Sequence, residues 1–360
     1  MLSKTFKQRL NVAITCNVKP ESETFPEDLP PIQTHFDKDT KYGFDTYAEW
    51  DTMETINAIK ESIEDYHDVT LIDADEHAFK KLKKIKPNIV FNIAEGINGQ
   101  SRESQIPAML DMLQIPYTGS DVLTLGICLN KARTKEILSY HKIPTPGFKV
   151  INSYTPIYNH SFEFPLIVKP VSEGSSKGIF SSSLVKNYDD LNRELKRCIN
   201  EYDQPAMIEE FLPGREFTVA IIGNDEETKV LPIIEIKYDK YPDDVEHLYS
   251  FEAKWILDTK ESDFDVFDCP ASLDDDLEKQ IRDTALSTYK VLGCKDWSRV
   301  DVRLDKNEVP NIIEINPLPG IMPDPNENSS LPKAARAAGI DYKSLIQTVL
   351  YSACKRNNLL

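Results

Sequence analysis

The chain has 360 residues, 40% of them apolar and 28% charged, a globular composition with room for two or three domains. Its formal net charge of −17 argues against a nucleic-acid partner, because phosphate backbones are gripped mainly by Lys and Arg clusters; a small-anion site inside an acidic shell is still allowed. There is no membrane-length apolar run and no signal-like pattern after "MLSKTFKQRL", and the six cysteines are scattered without a CxxC pair, so the sequence predicts a cytoplasmic chain with no membrane partner.

In chain order, "NVAITCNV" reads as a strand. A Pro- and acid-rich stretch from Lys19 to Tyr47 reads as a long loop or insertion. "DTMETINAIKESIED" predicts a helix opened by a D-x-x-E capping box, with Met53, Ile56, Ile59 and Ile63 at helical spacing. "VTLID" and "NIVFNIAEG" are again strand-like and "SQIPAMLDML" is a short helix, so the first third predicts a parallel sheet with helical crossovers. From about Leu125 the texture changes to α+β. Helix "NKARTKEILSYHKI" is followed by strand "PLIVKP", small-residue loop "SEGSSKGIF", helix "DDLNRELKRCINEY" and strands "AMIEEFL", "EFTVAIIG" and "VLPIIEIK". A polar stretch, 238–265, precedes helix "LDDDLEKQIRDTALSTYKVL" and the strand pair "SRVDVRL" and "NIIEIN". His35, His77 and His141 read as surface or helix-end residues. No H-E-x-x-H or Walker-type loop is present.

The last strand pair carries the first chemical signal. Side chains alternate along a strand, so Arg299, Asp301 and Arg303 share one face. Folding the pair as a hairpin centred between Asn307 and Glu308 sets Asp301 opposite Glu314 and Arg299 opposite Asn316, with Ile313 and Ile315 on the buried face. Like charges directly opposed are destabilising. A divalent cation held by Asp301, Glu314 and Asn316 would resolve that, and hard oxygen ligands suit Mg²⁺ or Mn²⁺. The alternative is neutralisation by Arg299 and Arg303. In "VKPVSEGSSKGI", Gly174 and Gly178 allow close backbone approach, Ser175, Ser176 and Lys177 offer donors to an anion, and Lys169 ends an apolar strand; a plain hairpin tip is the competing reading. In "AMIEEFLPGREFTVA", strand backbone beside Glu209 and Glu210 could meet a base edge and Glu216 could accept from ribose, although an ordinary strand pair has the same pattern.

Taken in order, these elements resemble the ATP-grasp ligases, and among them the D-alanine–D-alanine ligases. The resemblance runs from "NIAEGINGQSRESQIPAMLDMLQIPYTGSD" through "NKARTKEIL", "IVKPVSEGSSKGI", "IEEFLPGREFTVA", "FEAKW", "CKDWSRVDVRL" and "EINPLPG" to "SSLPKAARAAGI", roughly residues 88–343. It implies an ATP-grasp fold: a Rossmann-like N-terminal domain over 1–124, a central subdomain over 125–216 and a catalytic domain over 217–360. It also implies that Lys131 and Lys169 hold ATP phosphates under a loop carrying Ser175 and Ser176. Glu209, the backbone of Glu210 and Leu212, and Glu216 would take adenine and ribose. Lys254 would meet the γ-phosphate, and Asp301, Glu314 and Asn316 would bind magnesium. Arg299 and the Gly320 N–H would stabilise a tetrahedral intermediate. The implied reaction is carboxylate attack on ATP, an acyl phosphate, then amine attack, under lids at 172–178 and 238–262. A homodimer is implied by the family alone.

Four departures bear on substrate. The N-terminal glutamate that would bind an ammonium falls in the long "VKPESETFPEDLPPIQTHFDKDTKYGFDTYAEWDTMET", where Glu49 is the nearest match and Glu54 the alternative. Glu95 stands where the family commonly has His, and Trp255 where tyrosine is usual; an indole cannot accept a hydrogen bond or ionise as a phenol does. "MPDPNENSSLP" is about four residues longer than the family's segment, leaving Ser329 and Ser330 as candidates for a substrate carboxylate. The expected activity is an ATP- and Mg²⁺-dependent carboxylate–amine ligase acting on small amino acids. Two alternatives are addition of an amino acid to a peptide or natural-product carboxylate, and a non-catalytic nucleotide-binding scaffold, which would lack phosphate or metal residues.

Overall fold

Strand Asn11–Cys16 is buried on both faces and sits at the centre of a parallel sheet, between Asp68–Asp73 and Ile89–Asn92. A computed structural model describes residues 8–20, 45–238, 248, 250, 251, 254, 266–327 and 329–360. One face of this sheet is covered by helices Ala78–Ile85 and Gln105–Leu113, through Leu82, Ile106 and Leu110. The other face packs on helix Met53–Glu64, whose Ile56, Ile59 and Ile63 are fully buried. Each such isoleucine contributes about 1.5–3 kcal/mol. The C-terminal helix Tyr342–Arg356 closes the same cluster with Leu345, Ile346 and Val349.

Two expectations for helix Met53–Glu64 are corrected. Its N-cap is Thr52, whose hydroxyl accepts from the Thr55 amide, and not Asp51 of the expected box. Met53 is 41% exposed, because the apolar stripe begins only at Ile56. Freed from capping, Asp51 turns toward the cavity described below.

Among the described residues the other strands form two antiparallel sheets. The smaller orders Phe148–Ile151, Ala206–Glu210, Leu166–Pro170 and Leu184–Val185, with helix Tyr188–Tyr202 on one face through Leu191, Leu195 and Cys198. The larger has Glu216–Ile222 and Trp297–Leu304 at its centre, Pro310–Asn316 on one side, and Ile234–Ile236 with Phe267–Asp268 on the other. Helix Asp275–Val291 covers its apolar face through Ile281, Ala285 and Tyr289.

The hairpin pairs Asp301 with Glu314 and Arg299 with Asn316, the register read from the sequence. A bulge follows at once: Val302 lies opposite Ile312, so Ile313 is the extra residue. Ile313 therefore leaves the core for the cavity wall, and Ile312 fills the expected apolar place. His77 and His141 are exposed at helix ends as expected, while His35 lies outside the described residues. No helix among the described residues is long and apolar enough to cross a membrane.

Candidate active site

One large cavity lies between the two antiparallel sheets and the N-terminal region, and side chains from both sheets and from Glu49, Asp51, Glu95 and Glu103 line it. Its floor is the Trp297–Leu304/Pro310–Asn316 hairpin. Because alternate residues face the same way, Arg299, Asp301 and Arg303 on one strand and Glu314 and Asn316 on the other all reach the cavity. Asp301 accepts from the Thr218 hydroxyl at 2.8 Å and from Arg299 at 3.0 Å, and the Asn316 amide approaches it at 3.4 Å. Glu314 meets the Lys131 ammonium at 2.9 Å and Arg299 at 3.7 Å. Burial and the facing Glu314 charge push Asp301 up against the pull of Arg299. Burial would also raise Glu314, but Lys131 and then Arg299 outweigh it and hold that carboxyl well below its usual range. Two half-buried carboxylates and a carboxamide, all oxygen donors on adjacent strands, form a set that fits Mg²⁺ or Mn²⁺. The expected rival, neutralisation by two arginines, applies to Arg299 only. Arg303 is spent on Glu216, at 2.8 Å, and stacks over Phe211.

The strands of the smaller sheet supply the next wall. Lys169, 2% exposed, ends its strand 2.7 Å from the Glu209 carboxylate, and Lys135 reaches the same carboxylate at 2.6 Å. Burial opposes the charge on Glu209, but Lys135 and Lys169 together lower it. Lys135 was not expected here, though the signal was available: it stands four residues after Lys131 on helix Lys131–Tyr140 and so shares its face. Glu210 accepts from the Gly147 amide at 2.9 Å, Leu212 is buried beside it, and Glu216 takes hydrogen bonds from Tyr238 and Arg303 at 2.6 and 2.8 Å. Burial raises Glu216 in spite of Arg303. Lys254 also lines the cavity; burial, then repulsion from Arg299, lowers its ammonium to about 8.

The loop 172–178 is held against the N-terminal region. The Gly174 amide donates to Glu49 at 3.0 Å, and a β-carbon there would lie 2.5 Å from that carboxylate oxygen, so a larger residue would displace Glu49. Ser175 and Ser176 both adopt left-handed backbone, with φ of 49° and 60°, a strained pair that persists because the surrounding contacts fix it. Arg102 donates to both Glu49 oxygens at 2.8 and 2.7 Å and to Glu173 at 3.1 Å, and Lys177 meets Glu173 at 2.9 Å. Burial would raise Glu49, but Arg102 and then Lys177 lower it to about 2. Glu49 is thus in the cavity wall with both oxygens occupied, while the alternative Glu54 is exposed on its helix. Glu95 lines the cavity, joined by Asp51 and Glu103, which the sequence reading did not single out.

At the far side, the Ser329 hydroxyl donates to the Gly320 carbonyl at 3.2 Å and accepts from the Met322 amide at 3.1 Å, pinning the turn after the hairpin. Ser330 opens helix Ser330–Ala337, whose first amides have no acceptor within the helix, a suitable end for a carboxylate. Gly320, Ser329 and Ser330 all line the cavity. Trp255, and most of the expected lid 238–262, lie outside the described residues.

Comparison with known proteins bears on the same elements. A family profile described as the D-ala D-ala ligase C-terminus matches residues 139–351. The chain is 34% identical over 275 residues to a D-alanine–D-alanine ligase of Marinomonas sp. strain MWYL1, covering 76% of this chain and 80% of that one. The chain belongs to the D-alanine–D-alanine ligase family. It is an ATP-dependent ligase that forms C–N bonds. Another relative of this ligase, the uncharacterized protein y4sG of Sinorhizobium fredii strain NBRC 101917 / NGR234, is 33% identical over 298 residues, 81% of this chain and 84% of that one. The ATP-grasp fold is shared with the solved D-alanine–D-alanine ligase of Bacillus anthracis, described in complex with ATP, at a TM-score of 0.68 and 24% identity over 97% of this chain and 99% of that one.

Proposed function

We propose that this ligase joins two small amino acids, using ATP and Mg²⁺, by activating the carboxylate of one as an acyl phosphate and passing it to the amine of the other. The observation that carries the reading is the convergence of Asp301, Glu314 and Asn316 with Lys131, Lys169, Lys254 and Arg299 on one cavity.

In this reading the purine edge meets the strand backbone at Glu210 and Leu212 beside Glu209, and Glu216 takes the ribose hydroxyls. Lys131, Lys169 and Lys254 each have a carboxylate within reach or nearby, so the triphosphate enters by drawing them away from Glu314 and Glu209. Magnesium held by Asp301, Glu314 and Asn316 would supply charge neutralisation on the phosphate oxygens. The loop bearing Ser175 and Ser176 closes over the phosphates, and its latch is Glu49 through the Gly174 amide.

The substrate carboxylate oxygen then bonds to the γ-phosphorus while the β–γ bridging bond breaks, leaving ADP and an acyl phosphate. The second amine adds to that acyl carbon. Arg299 and the Gly320 N–H stabilise the negative oxygen, and loss of phosphate leaves the amide. No protein nucleophile is needed, and positioning and preorganised charge do the work. Water must be kept from the acyl phosphate, which suits the closed loop and a second cover from the segment bearing Trp255. Ser329 fixes the turn that presents Ser330 and the helix end to the second substrate's carboxylate. We place the enzyme in the cytoplasm, as a homodimer.

Incubation with ATP, Mg²⁺ and a panel of D- and L-amino acids should release phosphate and ADP together. Absence of release across the panel would overturn the reading.

A further inference from the structure

The cavity has an end that the reaction above leaves unexplained. Glu49, Glu95 and Glu103 bring carboxylate oxygens within 4.8 Å of one another, and Asp51 lies close enough to Glu95 to repel it. Glu49 is satisfied by Arg102 and the Gly174 amide. The other three are not. Glu103 is only 7% exposed, lines the cavity, and makes no hydrogen bond or ion pair with any described residue. Glu95 and Asp51, both partly buried, also line the cavity, and neither carboxylate has a hydrogen bond or ion pair with a described residue.

The nearby cations are already committed. Arg102 and Lys177 serve Glu49 and Glu173, and Lys131 serves Glu314. Lys19 lines the cavity, where its backbone amide donates to the Asp51 carbonyl at 2.8 Å. A buried carboxylate without a partner is costly unless a ligand completes it. Burial and mutual repulsion accordingly push Glu95 well above the usual range and Glu103 to about 8. An α-ammonium brings three donors but one positive charge, so by itself it would leave this group of carboxylates with an excess of negative charge.

We propose that one of the two joined amino acids is basic, and that Asp51, Glu95 and Glu103 receive the ammonium or guanidinium of its side chain. This rests on the ligase reading above. An organic cation is preferred over a metal because Glu49, the third member of the carboxylate cluster, already has both oxygens taken by Arg102. An ammonium needs only directional acceptors, which the remaining carboxylates offer.

The full chain, with ATP and Mg²⁺, is assayed for phosphate release with lysine, ornithine and arginine against norleucine and alanine, in both configurations. The basic members should exceed norleucine in kcat/KM by about 100-fold or more, since a site built around polar acceptors rejects an analogue that leaves them unpaired. Calorimetric binding of lysine and norleucine, with a nonhydrolysable ATP analogue present, should show the same order. Glu103→Gln and Glu95→Gln should each reduce the lysine preference at least about tenfold, a change in ratio that a general loss of folding would not produce. Equal binding of lysine and norleucine would overturn the inference whether or not turnover is seen. Turnover of neutral amino acids alone would overturn it and leave the ligase reading standing. Manganese binding without nucleotide that is lost in Glu103→Gln, with no preference for basic amino acids, would replace it by a metal site.

Discussion

The two ends of the cavity treat buried charge in opposite ways. Around the C-terminal hairpin four carboxylates each face a cation: Glu209 has Lys135 and Lys169, Glu216 has Arg303, Asp301 has Arg299, and Glu314 has Lys131. At the N-terminal end Glu49 and Glu173 share Arg102, while Asp51, Glu95 and Glu103 pair with no described residue. The residue types are the same and the cavity is continuous, so the difference is one of bookkeeping between ligand and protein. A balanced site must exchange partners when an anion arrives. An unbalanced one gains its partner from the ligand.

The contrast can be broken or sharpened by substitution. The largest effect is expected for Glu314→Gln, which exchanges a charged carboxylate ligand for a neutral carboxamide and removes the counter-charge of Lys131. Turnover should fall about 10³-fold, or about 4 kcal/mol, with thermal unfolding near that of the parent. Retained phosphate release would remove the metal role. Next comes Lys135→Met, which leaves Glu209 with Lys169 alone. It should cost about 3 kcal/mol in denaturant unfolding. Lys169→Met should lose more turnover than Lys135→Met, because only Lys169 is assigned to phosphate; equal turnover losses would merge the two roles.

At the unbalanced end the sign reverses. Burial pushes Asp51 from 3.8 to about 7. The folded state therefore keeps a proton that the unfolded chain has released, so this group's contribution to stability declines as the pH rises from about 4 to 7. Above pH 7 the penalty is complete. Asp51→Asn should match the parent near pH 4 and be about 1–2 kcal/mol more stable above pH 7, allowing for water in the cavity. A variant that is less stable at pH 8 would show that Asp51 has a partner. Smallest is Thr52→Ala, expected to cost about 1 kcal/mol at every pH through loss of the helix cap. Since Asp51 does not cap, a similar pH-independent loss in Asp51→Ala would restore the expected capping box.

Legibility in the sequence followed locality. The strand pair at Asp301 and Glu314 could be aligned because side chains alternate with period two and the turn between them is short. The bulge at Ile313 could not, since one extra residue leaves the apolar pattern "NIIEI" unchanged while shifting every residue beyond it. The cap was misread by one position because Asp51 and Thr52 are both good N-cap residues, and only packing decided which side chain turned inward.

Periodic burial and short-range turn chemistry were enough to specify most strands and helices and the paired acids of the hairpin, because each depends on neighbours a few positions away. Strand Phe148–Ile151 and helices Ala78–Ile85 and Tyr342–Arg356 were not read from the sequence. Which charges meet was settled by tertiary structure alone. Arg102 lies 53 residues from Glu49 and 71 from Glu173, and Glu209 lies 40 from Lys169. Ion pairs carry no repeat along the chain, so the surplus of carboxylates near Glu95 becomes visible only once the sheets have closed around it.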